Sequence, residues 1–347
     1  MSDWFRPHIP RMAGYVPGEQ PQEGGFIKLN TNENPYPPSP RVIEALGRVL
    51  TDRLRLYPDP LGTEFRRTAA ELHGVEPGMI LAGNGSDDVL TIITRAFVGP
   101  GELAAYPAPS YLLYSTLIQL QDGREHVVPF SGDWRLDPAE FRVPGLKLVY
   151  LANPNSPSGT ALEPAEVANL AEALPCPLVV DEAYADFADE HCIALVRDHP
   201  NVIITRSFSK GYSLAGVRLG YLVAQAAVIE QLLKVKDSYN CDALSLAAGV
   251  AALQDQDYLN VTRSRIRATR HRLTLELREL GYNVPVSQAN FVWATGGPPA
   301  PETFARLKKE KILVRLMTYP GHAPGLRISI GTDAEIDRLL EVFPATG

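Results

Sequence analysis

Val202-Ile203-Ile204-Thr205, followed closely by Ser207-Phe208-Ser209-Lys210-Gly211-Tyr212-Ser213-Leu214-Ala215-Gly216-Val217-Arg218, is the stretch on which the fold turns. The first four residues are apolar and mostly β-branched, the pattern of a short strand buried on both faces. A loop of small hydroxylated residues and glycines follows, with one lysine inside it and an arginine eight residues later. Lys210 therefore sits just past the carboxyl end of a strand. Partial desolvation and a neighbouring cation both lower an amine's pKa towards that of a usable nucleophile. A surface lysine in a Gly/Ser loop has the same local sequence, so the two readings must be separated elsewhere in the chain.

Outward from this stretch, short apolar runs recur at 79–82, 103–106, 126–130, 146–151, 178–180 and 221–224. Helical segments lie among them, including 39–50, 64–73 and an amphipathic one carrying Val89, Leu90, Ile92, Ile93, Ala96 and Phe97. This rhythm predicts an α/β fold, a mostly parallel sheet sandwiched by helices, with ligands at the carboxyl ends of its strands. Beyond about residue 245 the pattern changes to a long helix over 257–280, then strands at 291–294, 312–317 and 326–330 around a helix at 302–311. The six arginines of the long helix read as a solvated face. The expected domains are an N-terminal arm (1–40) joining the small domain, a large ligand-binding domain (41–245) and a smaller α+β C-terminal domain (246–347).

The 347 residues are 45% hydrophobic and 21% charged, an ordinary globular composition. A net charge of -7 argues against a nucleic-acid or anionic-membrane partner. Cys176, Cys192 and Cys241 form no CxxC pair and no even disulfide set, which fits a reducing cytoplasm. No apolar run approaches 18 residues and the start lacks a signal core, so a soluble intracellular protein is expected.

Several loops at strand ends carry candidate chemistry. Gly83-Asn84-Gly85-Ser86-Asp87-Asp88 opens a helix directly after a strand, where glycines allow close approach and first-turn N–H groups bind an anion. It lacks the glycine at 88 that a dinucleotide fingerprint needs. Asp181-Glu182-Ala183-Tyr184 puts a carboxylate at the end of a buried strand, where it needs a partner. Asn153-Pro154-Asn155-Ser156-Pro157-Ser158-Gly159 is a stiff turn with side-chain amides, and Tyr106, Tyr111 and Tyr114 either stack on a planar ring or fill core. Each has an ordinary structural reading of its own. Together they call for one small, planar, anionic molecule: phosphate on a helix N-terminus, ring nitrogen on Asp181, aldehyde on Lys210. Pyridoxal 5'-phosphate has that chemistry. No metal is needed, and the seven histidines show no ligand spacing.

Jointly and in order, these motifs resemble the fold-type I pyridoxal-phosphate-dependent aminotransferases, and among them the histidinol-phosphate aminotransferase family. The resemblance also takes in Tyr15-Val16-Pro17-Gly18, Leu29-Asn30-Thr31-Asn32-Glu33-Asn34-Pro35, Tyr57-Pro58-Asp59-Pro60 and Leu326-Arg327-Ile328-Ser329-Ile330-Gly331-Thr332. It implies an amino transfer from glutamate to a phosphorylated imidazole keto-alcohol, yielding 2-oxoglutarate and histidinol phosphate, a step of histidine biosynthesis. It implies catalytic Lys210, Asp181 on the ring nitrogen and Tyr184 on the ring hydroxyl. Gly85, Ser86, Asp87, Ser207, Ser209 and Arg218 would surround the cofactor phosphate, with Tyr111 stacked on the ring. Tyr57 would reach the phosphate of the other subunit's cofactor, implying a homodimer. Arg327 would bind the substrate carboxylate, with Arg315, Tyr15 and Asn34 also at the substrate.

One position departs from the family. Its turn usually carries asparagine just before the Pro-Thr/Ser-Gly, bonding the cofactor hydroxyl; here Ser156 stands there. Asn155 is the expected substitute, the alternative being that Tyr184 carries the contact. The resemblance also leaves open a threonine-phosphate decarboxylase-like lyase and an aromatic amino-acid aminotransferase.

Overall fold

The structure, a computed structural model, describes residues 4–345. Residues 1–3 of the expected arm and 346–347 of the expected C-terminal domain lie outside these described residues. After β1 (Ile27–Lys28), helix α1 (Pro40–Val49) starts behind Ser39, whose Oγ accepts from the Arg41 amide. Helix α2 (Thr63–His73) stops at Gly74, which takes the left-handed φ of 60°. The βα rhythm continues through β2 (Ile80–Gly83), α3 (Ser86–Phe97), β3 (Leu103–Ala108), α4 (Leu113–Leu120) and β4 (Arg124–Pro129). It goes on with β5 (Leu146–Ala152), α5 (Pro164–Ala173), β6 (Leu178–Asp181), β7 (Val202–Ser207), β8 (Gly220–Val223) and α6 (Ala226–Leu232). The C-terminal part comprises α7 (Ala243–Leu253), α8 (Gln256–Glu279), β9 (Phe291–Ala294), α9 (Ala300–Lys309), β10 (Ile312–Leu313), β11 (Arg315–Met317), β12 (Gly325–Ser329) and α10 (Asp333–Val342).

Seven strands form the main sheet in the order β2-β8-β7-β6-β5-β3-β4. Only β8 runs antiparallel to its neighbours. Alternate side chains serve two separate cores, as the period of two requires: Val149, Val180 and Ile204 pack on one face, Leu148, Val179 and Ile203 on the other. The α/β sandwich read from the sequence is the fold.

A third core collects Ile266, Leu273, Val292, Ile328 and Leu339, together with Leu29 from the arm. The arm enters it through parallel pairing of β1 with β10, Ile27 opposite Ile312. Three expectations need correction. The boundary at 245/246 cuts α7, whose Ala248, Ala251 and Leu253 pack in the first core. The run 312–317 divides at Val314 between two sheets: β10 pairs with the arm, β11 with β12. Arg270 is not on a solvated helix face; it is buried, and its Nη1 donates to the carbonyls of Phe187 and Ala289.

Candidate active site

A cavity of about 330 Å³ opens at the carboxyl ends of β5, β6 and β7, closed from above by the arm and by β11 and β12. Lys210 projects into it from the loop after β7, and its Nζ donates to the Thr31 carbonyl at 2.9 Å. Burial, with the nearby Arg327 charge, lowers its pKa to about 8, against the opposing pull of Glu33 and Asp87. Lys210 thus lines a cavity and is not a free surface lysine.

Asp181 ends β6 on the cavity wall. Its carboxylate accepts from Tyr114 Oη at 2.8 Å, Thr205 Oγ1 at 3.1 Å and the Ala183 amide at 3.2 Å. Burial outweighs these bonds and pushes its pKa up to about 6. Among the described residues no cation pairs with it within 4 Å. Burying a carboxylate without a cationic partner is costly.

The opposite end of the cavity is an anion cradle. Gly85 takes a φ of 89°, open to glycine, and lets Arg218 lie against the start of α3. Ser86 and Asp87 follow in the first helical turn and line the cavity with Ser207 and Ser209. Arg218 Nη1 donates to Ser209 Oγ at 3.3 Å, and its Nη2 lies 3.6 Å from Asp87 Oδ2. Helix dipole, hydroxyls and a guanidinium meet there. Two tyrosines also line the cavity. Tyr111 donates to Asp87 Oδ1 at 3.2 Å; Tyr184 packs edge-on against Phe291 and accepts from Asn32 Nδ2 at 3.0 Å.

Two arginines face the cavity from the small lobe. Arg315 and Arg327 are directly opposite in the β11–β12 ladder, an unfavourable like-charge pair unless an anion lies between them. Arg315 donates to the carbonyls of Val16 and Pro17, and Arg327 to Ser156 Oγ and the Asn30 carbonyl. Arg327 Nε is buried without a partner. Among the described residues neither guanidinium has a carboxylate within 4 Å. Tyr15 lines the same region, edge-on to Tyr111.

Two expected residues are elsewhere. The Asn155 amide is consumed by Ser110 Oγ and the Pro109 carbonyl from the loop after β3 and by Ser158 Oγ of its own turn, so Ser156, not Asn155, faces the cavity. Asn34 does not line the cavity; its amide fastens the carbonyls of Lys210 and Gly211 from behind. Tyr57, expected at the other subunit's cofactor and not in its own cavity, is 81% exposed and stacks on Tyr239. The sequence reading missed Asn32, Glu33 and Gln20 on the wall, and Thr205 behind Asp181. Asn32 left a signal in the irregular Asn-rich arm, because asparagine tolerates the left-handed φ of 55° it adopts.

Comparison with known proteins places the chain in a family. The family description "Aminotransferase class I and II" matches residues 25–343. A histidinol-phosphate aminotransferase of Rhodopirellula baltica is 51% identical over 338 residues, 96% of this chain and 93% of the relative. Histidinol-phosphate aminotransferase 1 of a Nostoc species is 43% identical over 347 residues, 99% and 98% of the two chains. Among solved structures, histidinol-phosphate aminotransferase from Sinorhizobium meliloti in complex with pyridoxal-5'-phosphate is 31% identical with a TM-score of 0.84, covering 91% of this chain and 89% of that one. A Thermus thermophilus aspartate aminotransferase, 23% identical with a TM-score of 0.79, shares the fold. This chain belongs to the class I and II aminotransferases.

Proposed function

We propose that this chain moves an amino group between glutamate and the keto-alcohol precursor of histidinol phosphate, reversibly, with pyridoxal phosphate in the cavity. The observation that carries the reading is the full-length identity to histidinol-phosphate aminotransferases, joined to two unpaired arginines aimed into one cavity. Two guanidiniums suit a substrate that bears phosphate on one side of the reaction and carboxylates on the other.

The residues fit the cofactor. Asp181 has an unmet need for a cation, which a pyridinium nitrogen supplies, and the α3 cradle with Arg218 suits a phosphate dianion. Bound there, the cofactor supplies an electron sink for a substrate carbanion. Lys210 Nζ, which lines the cavity, would hold the cofactor aldehyde and would carry the proton taken from the substrate carbon. Tyr184 would bond the ring hydroxyl, Tyr111 would stack on the ring, and Ser207 and Ser209 would add donors to the phosphate. Arg327 and Arg315 orient the substrate, with Tyr15 and Gln20 narrowing the mouth.

The exposed apolar run Leu50, Leu54, Leu56 and Tyr57 supports a homodimer in which Tyr57 reaches the partner's cofactor phosphate. Three buried, unpaired cysteines suit the cytoplasm. The test is a half-reaction: yellow holoenzyme mixed with histidinol phosphate loses its visible band and gives the keto product. Carbon dioxide release without keto product favours a lyase instead, and faster reaction with phenylalanine favours an aromatic aminotransferase.

A further inference from the structure

The polar groups around Tyr184 form a chain that leads out of the cavity into the arm and the small lobe. Asn32 is fully buried in the arm. Its backbone N–H donates to Ser329 Oγ at 2.8 Å, and Ser329 Oγ donates to Asn32 Oδ1 at 2.9 Å. Asn290 Nδ2 donates to the Asn32 carbonyl at 2.9 Å, and Asn32 Nδ2 donates to Tyr184 Oη at 3.0 Å. Ser329 is itself buried and owns a single proton. With the Asn32 N–H already on its oxygen, that proton goes to Asn32 Oδ1. The NH2 end of the amide must then face Tyr184.

The orientation has a chemical consequence. Tyr184 Oη accepts from the arm, so its own proton is left to point into the cavity. With the amide turned over, Tyr184 would spend that proton on Asn32, and Ser329 would lose its acceptor. We propose that Asn32, locked by Ser329, is the positioning residue that fixes Tyr184 as the hydrogen-bond donor to the ring hydroxyl of bound pyridoxal phosphate. The role weighs more in this chain because Ser156 replaces the family's amide: its short side chain accepts from Arg327 Nη1 at 3.1 Å, leaving Tyr184 as the main donor. Burial also keeps Tyr184 protonated, raising its pKa against the opposing pulls of Arg327 and the Asn32 amide.

The inference rests on cofactor binding, which the visible band of the wild-type holoenzyme tests separately. Donation to the ring oxygen stabilises its anionic form and lowers the proton affinity of the adjoining lysine-bound nitrogen. Asn32→Gly keeps the left-handed backbone and removes the amide. In the holoenzyme it should raise the pH midpoint of the visible absorbance by about one unit, the scale of one lost bond to a charged acceptor. The other charged groups facing the site (Arg327, Glu33, Asp87, Arg218 and Asp181) are untouched. In a Tyr184→Phe background the same substitution should add no further shift. An unmoved midpoint, or an equal shift without the tyrosine hydroxyl, overturns the proposal. If Asn32→Gly does not fold, Ser329→Ala, which frees the amide to turn over, is judged by the same two criteria.

Discussion

Lys210 and Asp181 lie in the same cavity, and burial drives both towards their neutral forms. The amine falls to about 8 and the carboxyl rises to about 6. For Lys210 the gain is reactivity: loading of cofactor-free protein with pyridoxal phosphate should speed up as pH rises towards 8 and then level off. Lys210→Ala should lose the visible band and all transamination; a variant with normal turnover contradicts the assignment. For Asp181 the sign is opposite to that of a salt-bridged carboxylate. Its folded pKa is raised, so the cofactor-free fold keeps this proton above pH 4, where the unfolded chain loses it. Stability should therefore fall between pH 4 and 6, by up to about 3 kcal/mol. Asp181→Asn should flatten that dependence in urea melts while cutting transamination at least about a hundredfold. Both residues were legible in the sequence, because each follows an apolar run and strand ends host ligands. Asn155 was misread because only the folded turn reveals that its amide is spent on Ser110, Pro109 and Ser158. Tyr114 was seen but left between core and ring; its bond to Asp181 is a contact across 67 residues that no local pattern contains.

The start of α3 is the element on which the proposed phosphate binding depends. A Cβ at position 85 would stand 2.7 Å from Arg218 Nη2, and the φ of 89° disfavours any side chain. Gly85→Ala should weaken cofactor binding at least about tenfold and cost about 1–3 kcal/mol of stability. Fluorescence titration with pyridoxal phosphate checks the first, thermal unfolding the second. Glycine-Ser at a strand-to-helix turn announced this element, whereas the close approach of Arg218 could be read only as a resemblance. Element positions were largely legible, since β-branched runs and capped amphipathic helices carry their own periodicity. Partners were not. The run 312–317 reads as one strand because nothing in it records that Val314 changes sheets, and α7 reads as small-lobe because its apolar residues name no core.

At the scale of the molecule, two lobes and the arm close one cavity, and the arm supplies Thr31, Asn32 and Glu33 to its wall. The exposed run around Tyr57 is where a second copy is expected to sit. Leu54→Glu with Leu56→Glu should convert a dimer to monomers in sedimentation velocity and weaken cofactor binding as Tyr57 is withdrawn; unchanged dimers contradict that placement. What the assembled cavity accepts decides its function. The most direct test is to mix the holoenzyme with histidinol phosphate, follow the visible absorbance, and then add 2-oxoglutarate. The yellow band should disappear as keto product forms, and return with stoichiometric glutamate. A band that persists, or one that fades with release of carbon dioxide and no keto product, would contradict the proposed function.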